Sequence, residues 1–304
     1  MADERTTEPC GIIVMDKHEG VSSFRMIQIL RKMFNTKKVG HTGTLDPLAT
    51  GVLPVLIGRA VKASEYIMSE DKTYEAVLRL GIETDTEDIT GTVLAESDEI
   101  PDESAVRAAC ESFTGNIMQT PPMYSAIWQD GRRLYEIAKE GGTVEREARP
   151  ITVSSIAVTK LDERSYALTV ECSKGTYIRT LCADIGRSLG CGGTMAALRR
   201  TRSGNFTLGH AHTIAELETM TYEERCALLV PTETAFAELP SVELSDFFHR
   251  LASSGQEVYL KKLRRDIPVG TLVRLHHGGV FFAIGRVETY PDGDAIRPVK
   301  QFIL

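Results

Sequence analysis

At 304 residues with 42% apolar side chains, the chain is long enough to bury one large domain and a smaller one. The N-terminal "MADERTTEPC" has no apolar signal core and no uninterrupted apolar run approaches membrane-spanning length, so a cytoplasmic globular protein is expected, with no membrane partner. A net charge of −7 argues against a uniformly basic polyanion binder, and six cysteines without a C-x-x-C pair argue against a zinc ribbon or disulfide framework; they read as reduced, mostly buried thiols.

In chain order, "CGIIVMDK" predicts a strand running into a charged turn. A helix follows over residues 22–34, with Ser22 or Ser23 as N-cap, Phe24, Ile27, Leu30 and Phe34 at helical spacing, and a positively charged end. Next comes "VGHTGTLDPLATGVLPVLIGRAVK", where Asp46 stands in front of Pro47, so its backbone is pushed out of the helical region. An Asp before Pro most often only shapes a turn. Here Gly40, Gly43 and Gly51 allow close approach by a ligand or a second backbone, while His41, Thr42 and Thr44 supply polar groups, so a site is indicated.

Residues 74–82, 91–96, 151–159 and 165–173 are β-prone runs with partial alternation, and residues 102–113 and 213–220 are helical, the latter opened by a Thr213/Glu216 capping box. Their irregular mixture predicts an α+β domain with a mixed, largely antiparallel sheet. Residues 119–150 begin with two prolines, end with one, and enclose a short helix rich in Arg, Lys and Tyr, which reads as an excursion from that sheet. Beyond a boundary near Pro240, short β pieces separated by Gly and Pro-Asp-Gly turns predict a small β-barrel module.

Charge is unevenly spread. Residues 83–103 hold nine acidic and no basic residues, whereas residues 31–62 hold six Lys/Arg against one Asp, and residues 172–202 six against one. The acidic run is expected to be an outer loop turned away from any polyanion, and the basic stretches to face one. A Walker loop is absent, "GCGGTMAAL" fails the dinucleotide fingerprint, and the pairs His210/His212 and His276/His277 lack a third ligand, so neither a cofactor nor a metal is expected.

"GHTGTLDPLATGVLP" resembles the catalytic motif of the TruB family of tRNA pseudouridine synthases. "VMDKHEGVSS", "KTYEAVLRLGIETDTEDITG", "PPMYSAIWQDGRRLYEIAKEG" and "CSKGTYIRTLCADIGRSLGCGGTMAALRRTRSG" resemble its other motifs in family order, so the likeness covers nearly the whole chain. The resemblance implies a pseudouridine synthase fold with a central cleft and a PUA-like C-terminal β-barrel: a tail at 1–8, a catalytic domain at 9–238 with an RNA-clamping loop at 119–150, and an RNA-binding domain at 240–304. It implies a monomeric enzyme, without guide RNA or cofactor, that isomerises uridine 55 in the T-arm of tRNA. Carried over by position, Asp46 is the nucleophile, Tyr74 the tyrosine at the base and Arg179 the arginine paired with Asp46; His41, Tyr74, Tyr177 and Leu198 contact the RNA or the flipped nucleotide. His18 departs from a family proline, and Trp128 stands near a common lysine.

The chemistry fits these assignments. Isomerisation exchanges the N1–C1′ bond for a C5–C1′ bond, so a carboxylate must be ionised, and the guanidinium of Arg179 beside it favours that form best, with a permanent charge and a bidentate fork. Whether the carboxylate attacks base or sugar is open. Extruding a base from a folded loop requires a filler, for which His41 serves, and a grip on the backbone, for which Arg31, Lys32, Lys37, Lys38, Arg199, Arg200 and Arg202 are candidates. An alternative is an RNA-binding tRNA-folding chaperone with secondary or lost catalysis. A glycosidic hydrolase would need a second carboxylate that has no readable position.

Overall fold

The structure, a computed structural model, describes residues 8–67, 71–129 and 131–302. Residues 1–7 of the expected tail lie outside the described residues.

A ten-stranded sheet organises the first 212 residues. Its strands run, edge to edge, Ala211–His212, Gly11–Lys17, Thr50–Ile57, Gly193–Ser203, Lys72–Leu80, Ser165–Cys172, Arg149–Lys160 and Gly115–Gln119, with Val39–His41 and Phe206–Thr207 paired off this path. Two ladders are parallel, Gly11–Lys17 with Ala211–His212 and Thr50–Ile57 with Gly193–Ser203; the others are antiparallel. The expected α+β class and largely antiparallel sheet are observed. The ladder between Thr50–Ile57 and Gly193–Ser203 consists of just two residue pairs, Arg199 with Thr50 and Arg200 with Gly51, and the Asp46 loop enters the sheet at this short join.

Helices Ser23–Met33, Glu103–Ser112 and Ile178–Ser188 cover one face, burying Met26, Ile27, Leu30, Val106, Cys110, Leu181 and Ile185. Ser22 caps the first by accepting from the Arg25 N–H. Phe24, expected on its apolar stripe, is instead 63% exposed, because Met26 occupies the core-facing position. Close packing of the third helix on the sheet requires glycine: a Cβ at Gly186 would lie 2.2 Å from the Gly193 nitrogen. The strand Val93–Glu96 pairs with Ile82–Thr84 in a separate small sheet. Four of the six cysteines, Cys110, Cys172, Cys182 and Cys191, are buried thiols.

Beyond Pro240 a second sheet orders Ser241–Glu243, Leu272–His277, Val280–Tyr290, Gly293–Gln301 and Val258–Tyr259, curled into a half-barrel flanked by the helix Asp246–Ser253. Gly278 and Gly279, with φ of 57° and 74°, make the tight turn between its two central strands. This module is not hung on a linker. Phe281 and Phe302 pack on Phe236 at centroid distances of 5.9 and 5.7 Å, within one apolar cluster that includes Ile12, Val14, Val52 and Leu56 of the main sheet. Lys300 adds an ion pair to Glu65 at 2.7 Å.

Candidate active site

Asp46 is fixed through its neighbours. Ser23, buried at the start of its helix, exchanges two 2.8 Å hydrogen bonds with Leu45, accepting from the Leu45 N–H and donating to the Leu45 carbonyl. The Pro47 carbonyl accepts from the Gly20 N–H at 2.9 Å and from Lys17 Nζ at 3.2 Å. Lys17 is completely buried and also donates to the carbonyls of His18 and Val21. Burial pulls its ammonium down to a pKa of about 8, a fall that the Asp46 carboxylate partly opposes. The residue before proline is thus anchored on both sides, which leaves its side chain little freedom.

The carboxylate meets Arg179 on the first turn of the helix Ile178–Ser188, with Nε to Oδ2 at 2.9 Å. The expected bidentate fork is not formed. Nη1 donates to the Thr86 carbonyl at 3.0 Å and Nη2 to the Tyr124 carbonyl at 2.9 Å, so one edge of the guanidinium holds the carboxylate and the others hold two loops. A second carboxylate, Asp88, lies 3.9 Å from Nη1. Burial raises the Asp46 pKa above its ordinary value; Arg179 and Lys17 pull it down and Asp88 pushes it up.

The acidic run therefore divides. Asp88 is buried and accepts from Thr90 and Thr86, and Glu87, with φ of 62°, accepts from Thr180, so its first part packs behind the site rather than forming an outer loop. Burial against Arg179 and the helix accounts for carboxylates in this place.

Asp46 and Arg179 line a cleft of about 270 Å³ together with Tyr74, Tyr177, Leu198 and Arg200. Tyr74 is buried on its strand, and burial raises its phenol pKa while the neighbouring Arg200 pulls the other way. Tyr177 precedes the Arg179 helix and is clamped by Gln119, which accepts from its N–H at 2.8 Å and donates to its carbonyl at 3.0 Å. His41 lies outside the cleft wall; its Nδ1 accepts from the Gly43 N–H at 3.3 Å, and burial lowers its pKa.

The basic candidates separate sharply. Arg31, Lys32 and Lys37 are exposed, and Lys38 pairs with Glu8 at 2.9 Å. Arg200 is 1% exposed and donates to the carbonyls of Val52 and Gly43, so the expected phosphate contact does not suit it; it supports the Asp46 loop and Tyr74. Arg199 pairs with Asp16 at 2.8 Å, and Arg202 donates to Thr73. Both sit on the sheet face opposite Tyr74, Arg199 by strand alternation and Arg202 because a bulge after Arg200 shifts the register to pair it with Thr73. Lys17, Asp88, Tyr124 and the supporting role of Arg200 were missed from the sequence. Lys17 carried a signal, as a lone cation closing an apolar strand; the others depend on where loops distant in sequence come to rest.

Residues 31–178 match the TruB family pseudouridylate synthase N-terminal domain, and residues 179–237 match the tRNA pseudouridylate synthase B C-terminal domain. A protein of Aromatoleum aromaticum named tRNA pseudouridine synthase B is 42% identical over 278 residues, covering 91% of this chain and 89% of its own length. Its namesake from Burkholderia mallei is 44% identical over 268 residues, 88% of this chain and 89% of that one. In the crystal structure of a Cbf5-Nop10-Gar1 complex, a chain 26% identical superimposes with a TM-score of 0.72, over 98% of this chain and 86% of that one. The chain belongs to the TruB family of pseudouridylate synthases.

Proposed function

We propose that the chain isomerises uridine 55 in the T-arm of tRNA to pseudouridine, with Asp46 as nucleophile. The observation that carries this reading is a buried, carbonyl-anchored Arg179 bound to Asp46 at the floor of a cleft sized for one base. In the reaction the N1–C1′ bond breaks, the base turns, C5 bonds to C1′, C5 loses its proton and N1 gains one. Arg179 keeps the carboxylate oriented, Tyr74 and Leu198 bound the rotating base, and Tyr177 closes the side of the cleft. His41 fills the gap left by the extruded base.

The balance involves no oxidant and no phosphoryl group, so turnover is expected to survive exhaustive treatment with EDTA; loss restored only by one divalent ion would contradict this. The catalytic domain spans 9–238, the 119–150 segment closes on RNA, and the module at 240–304 contributes RNA binding. The enzyme acts on tRNA in the cytoplasm as a single chain without a guide RNA.

A T-arm stem–loop carrying tritium at uridine C5 tests the activity. Release of tritium to water in step with loss of uridine is expected. Binding without release would establish the chaperone reading instead.

A further inference from the structure

Arg199 and Arg202 face away from the cleft, and Arg200, which borders it, is engaged by the Val52 and Gly43 carbonyls, so the grip on the RNA backbone falls to other residues. The base-sized cleft shares Gly175 and Tyr177 with a neighbouring cavity of about 390 Å³. That cavity shares Pro121, Ile127 and Arg149 with a third, of about 460 Å³, bordered by Trp128. The three form one trough leading from Asp46 into the 119–150 segment. Lys174 and Arg149 stand along it, exposed, and among the described residues neither has a carboxylate partner.

Trp128 lies at the far end, on a short hairpin of Trp128–Gln129 against Arg132–Arg133. It is 62% exposed, and the Arg133 guanidinium sits 5.1 Å from its ring centroid. One face of the indole is therefore backed by a cation and the other is open. Among the described residues Arg133 also lacks a carboxylate partner, whereas the adjacent Arg132 is paired with Glu140 at 2.6 Å. Glu145 and Glu147 border the same cavity beside Arg146 and Arg149, so its charges balance and the open aromatic face is its distinctive element.

We infer that Trp128, backed by Arg133, is a stacking platform for an unpaired base of the substrate RNA, reached along the trough from the flipped uridine. Every base has a π-face, so a rigid indole with a cation behind it suits a splayed loop nucleotide, and such stacking adds affinity without reading groove edges. The inference rests on the reading of the chain as a tRNA pseudouridine synthase and names a contact in that site's approach. Trp128 binds and positions RNA; it does not touch the reacting atoms.

Trp128 is the only tryptophan in the chain, so its emission reports on this site alone. Titration of the full-length protein with T-arm stem–loop RNA should quench it saturably, with the same midpoint as an independent binding measurement. Trp128→Ala should raise KM about tenfold with kcat within about twofold of wild type, and Trp128→Phe, which keeps a stacking ring, should restore most of the loss. The salt dependence of binding should keep its slope in Trp128→Ala, because no phosphate contact is removed. An equal melting temperature confirms that an exposed side chain was changed without damage to the fold.

Unchanged emission at saturating RNA, while wild-type enzyme releases tritium, would overturn the inference and leave the activity standing. So would a Phe variant as impaired as the Ala variant, or wild-type KM in both, the result expected if the indole meets a protein partner instead. Quenching without tritium release by wild-type enzyme would support the contact and count against the isomerase reading.

Discussion

Arg179 and Arg133 show two ways of holding the same side chain. Arg179 is 5% exposed and all three edges of its guanidinium are engaged, by the Asp46 carboxylate and the carbonyls of Thr86 and Tyr124. Arg133 lies in the 119–150 segment, over an exposed indole, with no carboxylate partner among the described residues. The first arrangement fixes an atom to within the tolerance that bond-making demands, and the second leaves a surface free to adapt to a partner. The Tyr124 carbonyl belongs to the same 119–150 segment as Arg133, so Arg179 is also where the two regions meet.

The sharpest way to break this comparison is at Asp46. Asp46→Asn keeps the shape and removes the charge, so turnover should disappear while T-arm binding stays within about tenfold, or about 1.4 kcal/mol. Single-turnover isomerisation by this variant, free of deamidation, would show that another carboxylate is the nucleophile.

Arg179→Lys tests the fixed side next. A lysine can meet the carboxylate but cannot also reach both carbonyls, so turnover should fall by about two orders of magnitude or more. Because the pair acts as one device, adding Asp46→Asn should make the double variant no slower than Asp46→Asn alone in single-turnover assays.

Lys17→Met removes the hydrogen bonds to the carbonyls of His18, Val21 and Pro47 that hold the corner carrying Asp46. Urea unfolding should show a loss of about 2–3 kcal/mol, with reduced kcat and a nearly unchanged KM. Wild-type stability in this variant would mean that the Pro47 corner is held without it.

The smallest effect is a shift in pH dependence. With burial raising the Asp46 pKa above its ordinary 3.8, the acid limb of kcat should fall above that value. Asp88 adds to the rise, so Asp88→Asn, which removes a like charge, should move the limb to lower pH. Movement to higher pH would reverse the assigned electrostatics.

Much of the fold was legible from short-range pattern. The strands Gly11–Lys17, Arg149–Lys160 and Ser165–Cys172 and the capped helix Ile214–Thr219 follow from local β-propensity and capping chemistry. The strand Gly193–Ser203 was not so clear, because three arginines and a run of glycines mask its alternation, and neither was Thr50–Ile57, a uniformly apolar strand with Pro54 inside it. The half-barrel was foreshadowed by its Gly and Pro-Asp-Gly turns, but its docking through Phe236, Phe281 and Phe302 was not, since aromatic residues far apart in sequence carry no mark of which core they share.

The sequence alone determined the stiff corner of Asp46 before Pro47 among glycines, whereas Arg179 was singled out by family resemblance. The corner is a local fact, because proline restricts its neighbour and glycine permits close approach wherever the chain folds. Tertiary structure alone decided which charges serve the site. Arg199, Arg200 and Arg202 are successive or nearly so in sequence, yet strand alternation, a bulge and the short join with Thr50–Ile57 bury one beneath the cleft and turn the other two to the far face. Charge composition is a property of residues, but the direction in which a charge acts is set by packing.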